Sequence, residues 1–394
     1  MIIKFLTGII LFFIVATTLI PSATENIQQD TNIKFDFPDG YIFVDDDNTI
    51  GPWDGTWNHP FQLIQDAIDF AQPTQVIYIC EGRYNQTVKI QKKITLIGQD
   101  RQTTLIDGEF QPIIISIDHA DVSIQNLTIQ KSGGGQGNTG IFINSSNISI
   151  KNCQFFQTRT AIKSSHQENI TLFNCLFYKN GEGISFNQNI DCFIEDCIFY
   201  QNGLGVNLNR SRKIIIKSSK AHTNGIGFFI IDSQEINVTR CAAYNNNDNQ
   251  GGFFIENCSN INFFDCIISH NGFGMKTSDS NNITVSHSTI SYNTHAGILN
   301  TDNSDNINIQ QCEITRNLRI SIYSTQANIT CTRNNIHDSL CGLFIENSYC
   351  DARDNWWGSC FGPGFIERKK QDNIIKLLSQ FNSSSILLNV LNFS

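Results

Sequence analysis

Two consecutive stretches, "ITLFNCLFYKNGEGISFNQNID" (170–191) and "CFIEDCIFYQNGLGVNLNRSRK" (192–213), have the same length and share a cysteine, an aromatic pair and an Asn-Gly. Aligned on the first apolar residue, such units start at Val122, Ile148, Ile170, Cys192, Ile214, Ile236, Ile261, Ile283, Ile307 and Ile329, a period of mostly 22 residues. One unit of that size has no second layer against which to bury its apolar face, so the units must stack. Each unit reads apolar-x-apolar-x-x-Cys-x-apolar, then a turn, then Gly-apolar, and the period-two alternation predicts short strands. Three short strands per unit give an all-β, right-handed, single-stranded parallel β-helix of about a dozen coils, each rising roughly 4.8 Å.

Stacking turns equivalent positions into columns. Cys153, Cys175, Cys197, Cys241, Cys266 and Cys312 share one inward position, with Ser219, Ser288 and Asn334 in the remaining coils. Thiols about 4.8 Å apart are too distant for the Cβ separation a disulfide wants, so this column is expected to be free thiols acting as small apolar filler. Cys341, Cys350 and Cys360 could supply one bridge, with no pairing fixed by the sequence. Two residues after the cysteine position comes a second inward column, from Phe155, Phe177 and Phe199 to Ile336. Asn180, Asn202, Asn224, Asn246, Asn271, Asn293 and Asn317 form a ladder at one corner, where Asn tolerates turn conformations and bonds neighbouring backbone. Asn147, Asn169, Asn260, Asn282, Asn306 and Asn328 mark a second corner.

The ends have their own signals. "MIIKFLTGIILFFIVATTLIPSATEN" reads as a secretory signal peptide over 1–23, with an uncleaved anchor as the alternative. A linker over 24–40 then leads into the β-helix, 41–378, and a tail follows over 379–394. Near 60–71, Pro60 opens an amphipathic capping helix with Phe61, Ile64, Ile68 and Ala71 on one face. "IIKLL" (374–378) is expected to cover the other end. The chain is placed outside the cytoplasm, as an extracellular, cell-surface or periplasmic protein. The net charge of −9 argues against nucleic acid as a partner; membrane contact is expected only through the N-terminal segment, if uncleaved.

The segment from "VDDDNTIGPWDGTWNHPFQLIQDAIDFA" to "EGRYNQTVKIQKKITLIGQDRQTTLIDG", together with "DNWWGSCFGPG", resembles the caps of secreted right-handed β-helix proteins of the NosD-like group within the pectin-lyase-like fold. The resemblance covers roughly 41–378 and is specific for fold. It implies a range of activities, from copper-site maturation to polysaccharide lyases and epimerases. With Met1 and Met275 the only thioethers and the eight histidines scattered over different positions, the chain itself gives copper no support.

Catalysis on a glycan needs convergent acids and bases. The position before the cysteines places Arg240, Asp265 and His287 on successive coils, the best catalytic candidates, although alternating charge down a sheet is more often cross-strand pairing. Asp45, Asp46 and Asp47 could hold Ca²⁺, against the simpler reading of a solvated turn; no other cofactor is expected. Three residues after the cysteine position, Phe156, Tyr178, Tyr200, His222 and Tyr244 form an outward ring column, the candidate ligand-binding site. Sugars stack on aromatic faces; the competing reading is that the rings stack on each other to stabilise the sheet. "KSGGGQGNTG" (131–140), "NNNDNQGG" (245–252) and "NTHAG" (293–297) lengthen the adjacent corner. The residues thus point to an exported, non-catalytic protein that binds carbohydrate or another cell-envelope component. The alternatives are a lyase, hydrolase or epimerase on an extended glycan, and an envelope scaffold without a ligand.

Overall fold

The computed structural model describes residues 40–247 and 251–358. Three parallel sheets wrap one core. Sheet I has 14 strands, from Tyr41–Val44 to Cys350–Asp351; sheets II and III have 12 each, ending at Asn335–His337 and Cys341–Glu346. Each coil contributes a strand to I, II and III in turn, as in Ile170–Phe173, Leu176–Tyr178 and Glu182–Asn187. Hydrogen-bonded neighbours are consecutive coils, so the chain is a parallel β-solenoid of about 12 turns with one short helix. The signal-peptide or anchor segment, the strand at 374–378, the C-terminal tail and Cys360 lie outside the described residues.

Register is one-to-one through the repeats: Ile148 pairs Ile170, and Leu172 pairs Ile194. Inside, Phe155, Phe177 and Phe199 stack with centroids 4.8 and 4.7 Å apart and planes within 9° of parallel. Ala221, Ala243 and four isoleucines continue the column, all fully buried. The expected thiol column is there too, and all twelve described cysteines are free. The thiols do more than fill space. Cys175 Sγ donates to Phe173 O at 3.4 Å and to Ile150 O of the preceding coil at 3.6 Å. Ser219 and Ser288 make the same bond to the carbonyl two residues back, at 3.0 and 2.8 Å, which explains why serine substitutes for cysteine there. Burial pushes the thiols of Cys241 and Cys266 up to about 12.

The corner between sheets II and III is held by the asparagine ladder. Asn224 accepts from the Asn202 N–H at 2.9 Å, donates to Phe199 O at 3.0 Å and donates to Asn246 Oδ1 at 3.1 Å. The pattern survives the insertion at 245–252, where Asn246 N still reaches Asn271 Oδ1 at 3.0 Å. All three lengthened segments fall between a strand of sheet II and the next strand of sheet III. The asparagines between sheets III and I form a looser, exposed ladder, with Asn282 Nδ2 on Asn260 Oδ1 at 3.1 Å and positive φ at both. Behind it runs a buried hydroxyl ladder that the repeat reading did not single out. Ser211 N donates to Ser233 Oγ at 3.0 Å, and Cys258 N to Ser280 Oγ at 3.0 Å.

The cap differs from expectation in one respect. The helix spans Ile64–Phe70 and does not begin at Pro60. Phe61 instead bridges to Val44, donating to Phe43 O at 2.9 Å and accepting from Asp45 N at 2.8 Å. That pairing with Tyr41–Val44, the first strand of sheet I, holds residues 60–63 out of helical conformation. Ile64, Ala67, Ile68 and Ala71 still close the core as the amphipathic pattern requires.

Two outcomes test this account. Asn224→Ala leaves buried backbone groups unpaired and should cost about 1–3 kcal/mol in equilibrium unfolding, whereas Asn282→Ala, on the exposed ladder, should cost well under about 1 kcal/mol. The eleven buried thiols should resist a thiol reagent in the native protein and all react after denaturation; rapid native labelling at Cys175 or Cys197 would contradict the buried column.

Candidate functional site

The five predicted rings sit on the outer face of sheet II, in strict register. Successive centroids are 4.8, 5.2, 5.4 and 4.8 Å apart, from Phe156 through Tyr178, Tyr200 and His222 to Tyr244, with planes tilted by 22° at the first step and no more than 12° after it. At that spacing each inner ring has both faces covered by its neighbours. A sugar cannot lie flat on them. What the column presents to solvent is a strip of ring edges and polar tips. Burial raises the pKa of the Tyr178 and Tyr200 hydroxyls, so they remain protonated donors. Gln154 Nε2 donates to Tyr178 Oη at 3.0 Å. Burial, together with Lys220 nearby, lowers the His222 pKa below its ordinary 6.5.

The same outward position continues beyond the rings in both directions. Towards the N-terminus come Gln130 and Asp107. The Asp107 side chain is fully buried. It accepts from Arg83 Nη2 at 2.7 Å, Gln130 Nε2 at 2.7 Å and Glu109 N at 3.0 Å, with Lys131 Nζ at 3.2 Å. Burial would raise its pKa, but the Glu109 N–H, Gln130 and Lys131 together lower it. Asp107 precedes the first aligned unit, so the repeat could not place it; its register with Phe156 was the missing signal.

Towards the C-terminus the column turns small, through Ser269, Ser291 and Thr315, before reaching His337. The ring stack resumes one residue along the chain. His270 and Tyr292 stack at 4.9 Å, and Arg316 lies over Tyr292 at 5.7 Å while donating to its hydroxyl at 2.7 Å. His337 stands between two carboxylates, with Nε2 2.7 Å from Glu313 and Nδ1 3.1 Å from Asp338. Burial would lower its pKa, but those two acids raise it. A search confined to one column position passes over this cluster.

The other predicted candidates are placed less favourably. Arg240, Asp265 and His287 do fall on successive coils, each at a left-handed corner with φ of 54°, 55° and 53°. Arg240 Nε pairs with Asp265 Oδ2 at 3.6 Å in the open, and the His287 ring packs on Phe264 at 5.0 Å. Asp45, Asp46 and Asp47 do not turn to a common point. Asp45 accepts from the Asp47 N–H at 3.1 Å, and Asp46 accepts from the Arg83 N–H at 3.0 Å. Gly82 is needed beside Asp46, because a Cβ there would collide with the carboxylate.

Residues 119–286 match the family model described as "Periplasmic copper-binding protein (NosD)", and residues 247–377 match "Right handed beta helix region". The described residues do not fit copper. Among those described, no three of His, Cys, Asp and Glu are grouped to hold a metal ion, and thiols such as those of Cys197 and Cys241 are buried on backbone carbonyls. No curated protein matches the chain. Among solved structures, tailspike protein 3 of bacteriophage CBA120 is similar at 8% identity and TM-score 0.51, covering 80% of this chain and 59% of the tailspike. The Azotobacter vinelandii mannuronan C-5 epimerase AlgE4 A-module aligns at 14% identity and TM-score 0.44, covering 76% and 93%. The catalytic domain of a GH87 α-1,3-glucanase aligns at 11% identity and TM-score 0.46, covering 86% and 70%. At these identities the likeness concerns the fold alone. The chain is therefore a parallel β-solenoid with one segment that matches the NosD family model and one that matches the right-handed β-helix model.

Proposed function

We propose that this protein is exported, to the periplasm or beyond, and holds an extended glycan along the outer face of sheet II without cleaving it. The observation that carries the reading is the edge-on ring strip over five coils. The inward column on the same strands uses plain phenyl rings, Phe155, Phe177 and Phe199, and stacks just as closely. Stacking alone thus has no need of hydroxyls, yet the outward column carries three tyrosines and a histidine. Spaced by one coil, these tips offer donors and acceptors at the repeat of a polymer lying along the rod.

A second reading, cleavage of the bound glycan, is favoured by one observation: Glu313 and Asp338 converge on His337 in line with the strip. Two acids near a sugar are what hydrolysis requires. Here, however, they are occupied by His337, Asn335 and Arg316. Release of new reducing or unsaturated ends from a bound polysaccharide, abolished by Glu313→Gln, would replace the first reading with the second.

Tyr200→Phe keeps the stack and removes one hydroxyl. It should weaken oligosaccharide binding by about 1 kcal/mol, roughly fivefold, with no change in the unfolding midpoint. Unchanged affinity in the Tyr178→Phe/Tyr200→Phe double variant would defeat the strip as the binding surface. His222 adds a pH signature. Its folded pKa is depressed below 6.5, so its contribution to stability is complete above that value and is lost as the pH falls. The thermal midpoint should therefore drop on acidification less steeply in His222→Tyr than in the natural chain.

A further inference from the structure

The flanks of the strip carry a charge pattern opposite to that of the whole chain. Lys179 follows Tyr178 at the corner, Lys220 precedes His222 on the same strand, and Arg159 lies one coil before Lys179. All three are exposed, and none forms an ion pair among the described residues. Elsewhere some exposed cations are engaged, as in Lys217 on Glu195 at 2.6 Å and Arg210 on Asp232 at 3.4 Å. Other exposed cations, such as Lys151, Lys213 and Arg333, are also without an ion pair; what distinguishes these three is their place beside the ring strip, on a chain of net charge −9.

Local geometry keeps them beside the rings. Lys179 Nζ lies 5.8 Å from the centroid of Phe156. A Cβ at Gly181 would collide with the Arg159 guanidinium, so the bare glycine corner lets that side chain lie across the next coil. Among the described residues of the ring-bearing coils, the outward and corner positions of sheet II hold a single carboxylate without an ion pair, Asp196, at the far corner; Asp248, in the segment after Tyr244, lies outside the described residues. Glu182, around the near corner, accepts from Asn207 Nδ2 at 3.3 Å.

We infer that the polymer held on this strip is anionic: a glycan bearing carboxylate or sulfate groups, with Arg159, Lys179 and Lys220 meeting successive charges. Lys179 and Lys220 are two coils apart, about 10 Å along the rod, so one extended chain reaches both. The inference rests on the glycan-binding reading above and adds the class of ligand.

The test is titration of the full chain with four probes: polygalacturonate oligomers, heparin oligosaccharides, neutral cello-oligosaccharides and a short DNA duplex. The expected result is tighter binding of an acidic than of a neutral oligosaccharide, weakening as salt rises from about 50 to about 200 mM. Lys179→Gln and Lys220→Gln should each weaken it by about two- to fivefold and flatten the salt dependence. Lys276→Gln, on sheet III, should leave it unchanged. Preference for the uronate or for the sulfated probe supports the inference and identifies the acidic group. Equal binding of neutral and acidic oligosaccharides, both sensitive to Tyr200→Phe, overturns the inference and leaves the strip reading standing. Binding of DNA as tight as that of the acidic sugars also overturns it, because charge alone then suffices. Binding of no oligosaccharide overturns both.

Discussion

Parallel stacking at one coil per strand spacing is the constraint from which everything else follows. Once neighbouring units lie in register, each side chain meets its own counterpart about 4.8 Å away. Only side chains that gain from touching a copy of themselves can be repeated. Phenyl rings gain by offset stacking, and asparagine gains because one amide both donates and accepts. The Asn180–Asn317 ladder is the fullest case: each amide closes its own corner and serves the coil before it. Ion pairs obey the same rule with alternating sign, as Arg210 and Asp232 show.

That rule also explains why so much could be read from residues alone. The cysteine, phenylalanine and asparagine columns were legible because a strict period carries inward and outward positions with it. Period does not carry rotamers. The outward position of Phe156–Tyr244 was visible, but the choice between open faces and mutual stacking is made by χ angles, and stacking won. Period is also blind outside the aligned units, which hid Asp107, and to a step sideways, which hid His270 and Tyr292. At the cap, local helix signals at Pro60 lost to a backbone pairing between Phe61 and the first strand, a contact no local pattern encodes.

The candidate site shows two kinds of charge arrangement on one face. At the ends, Asp107 and His337 are enclosed by partners that satisfy them, so these groups lock the sheet. In the middle, Arg159, Lys179 and Lys220 are left open beside rings whose polar edges face water. The division gives the face a frame of satisfied charges around a centre of open ones, the arrangement on which the proposed glycan-binding reading rests.

The sulfur column sets an order of events for the chain's own maturation. In the finished rod the thiols of the repeat column, such as Cys175, Cys197 and Cys241, are shielded and tied to carbonyls, but in an oxidising compartment the extended polypeptide would expose all thirteen cysteines at once. Wrong pairings would then cross-link coils at separations the rod cannot accommodate. In such a compartment safe assembly would require that coil closure outrun oxidation, or that reductant accompany the nascent chain, so kinetics would decide the quality of the product.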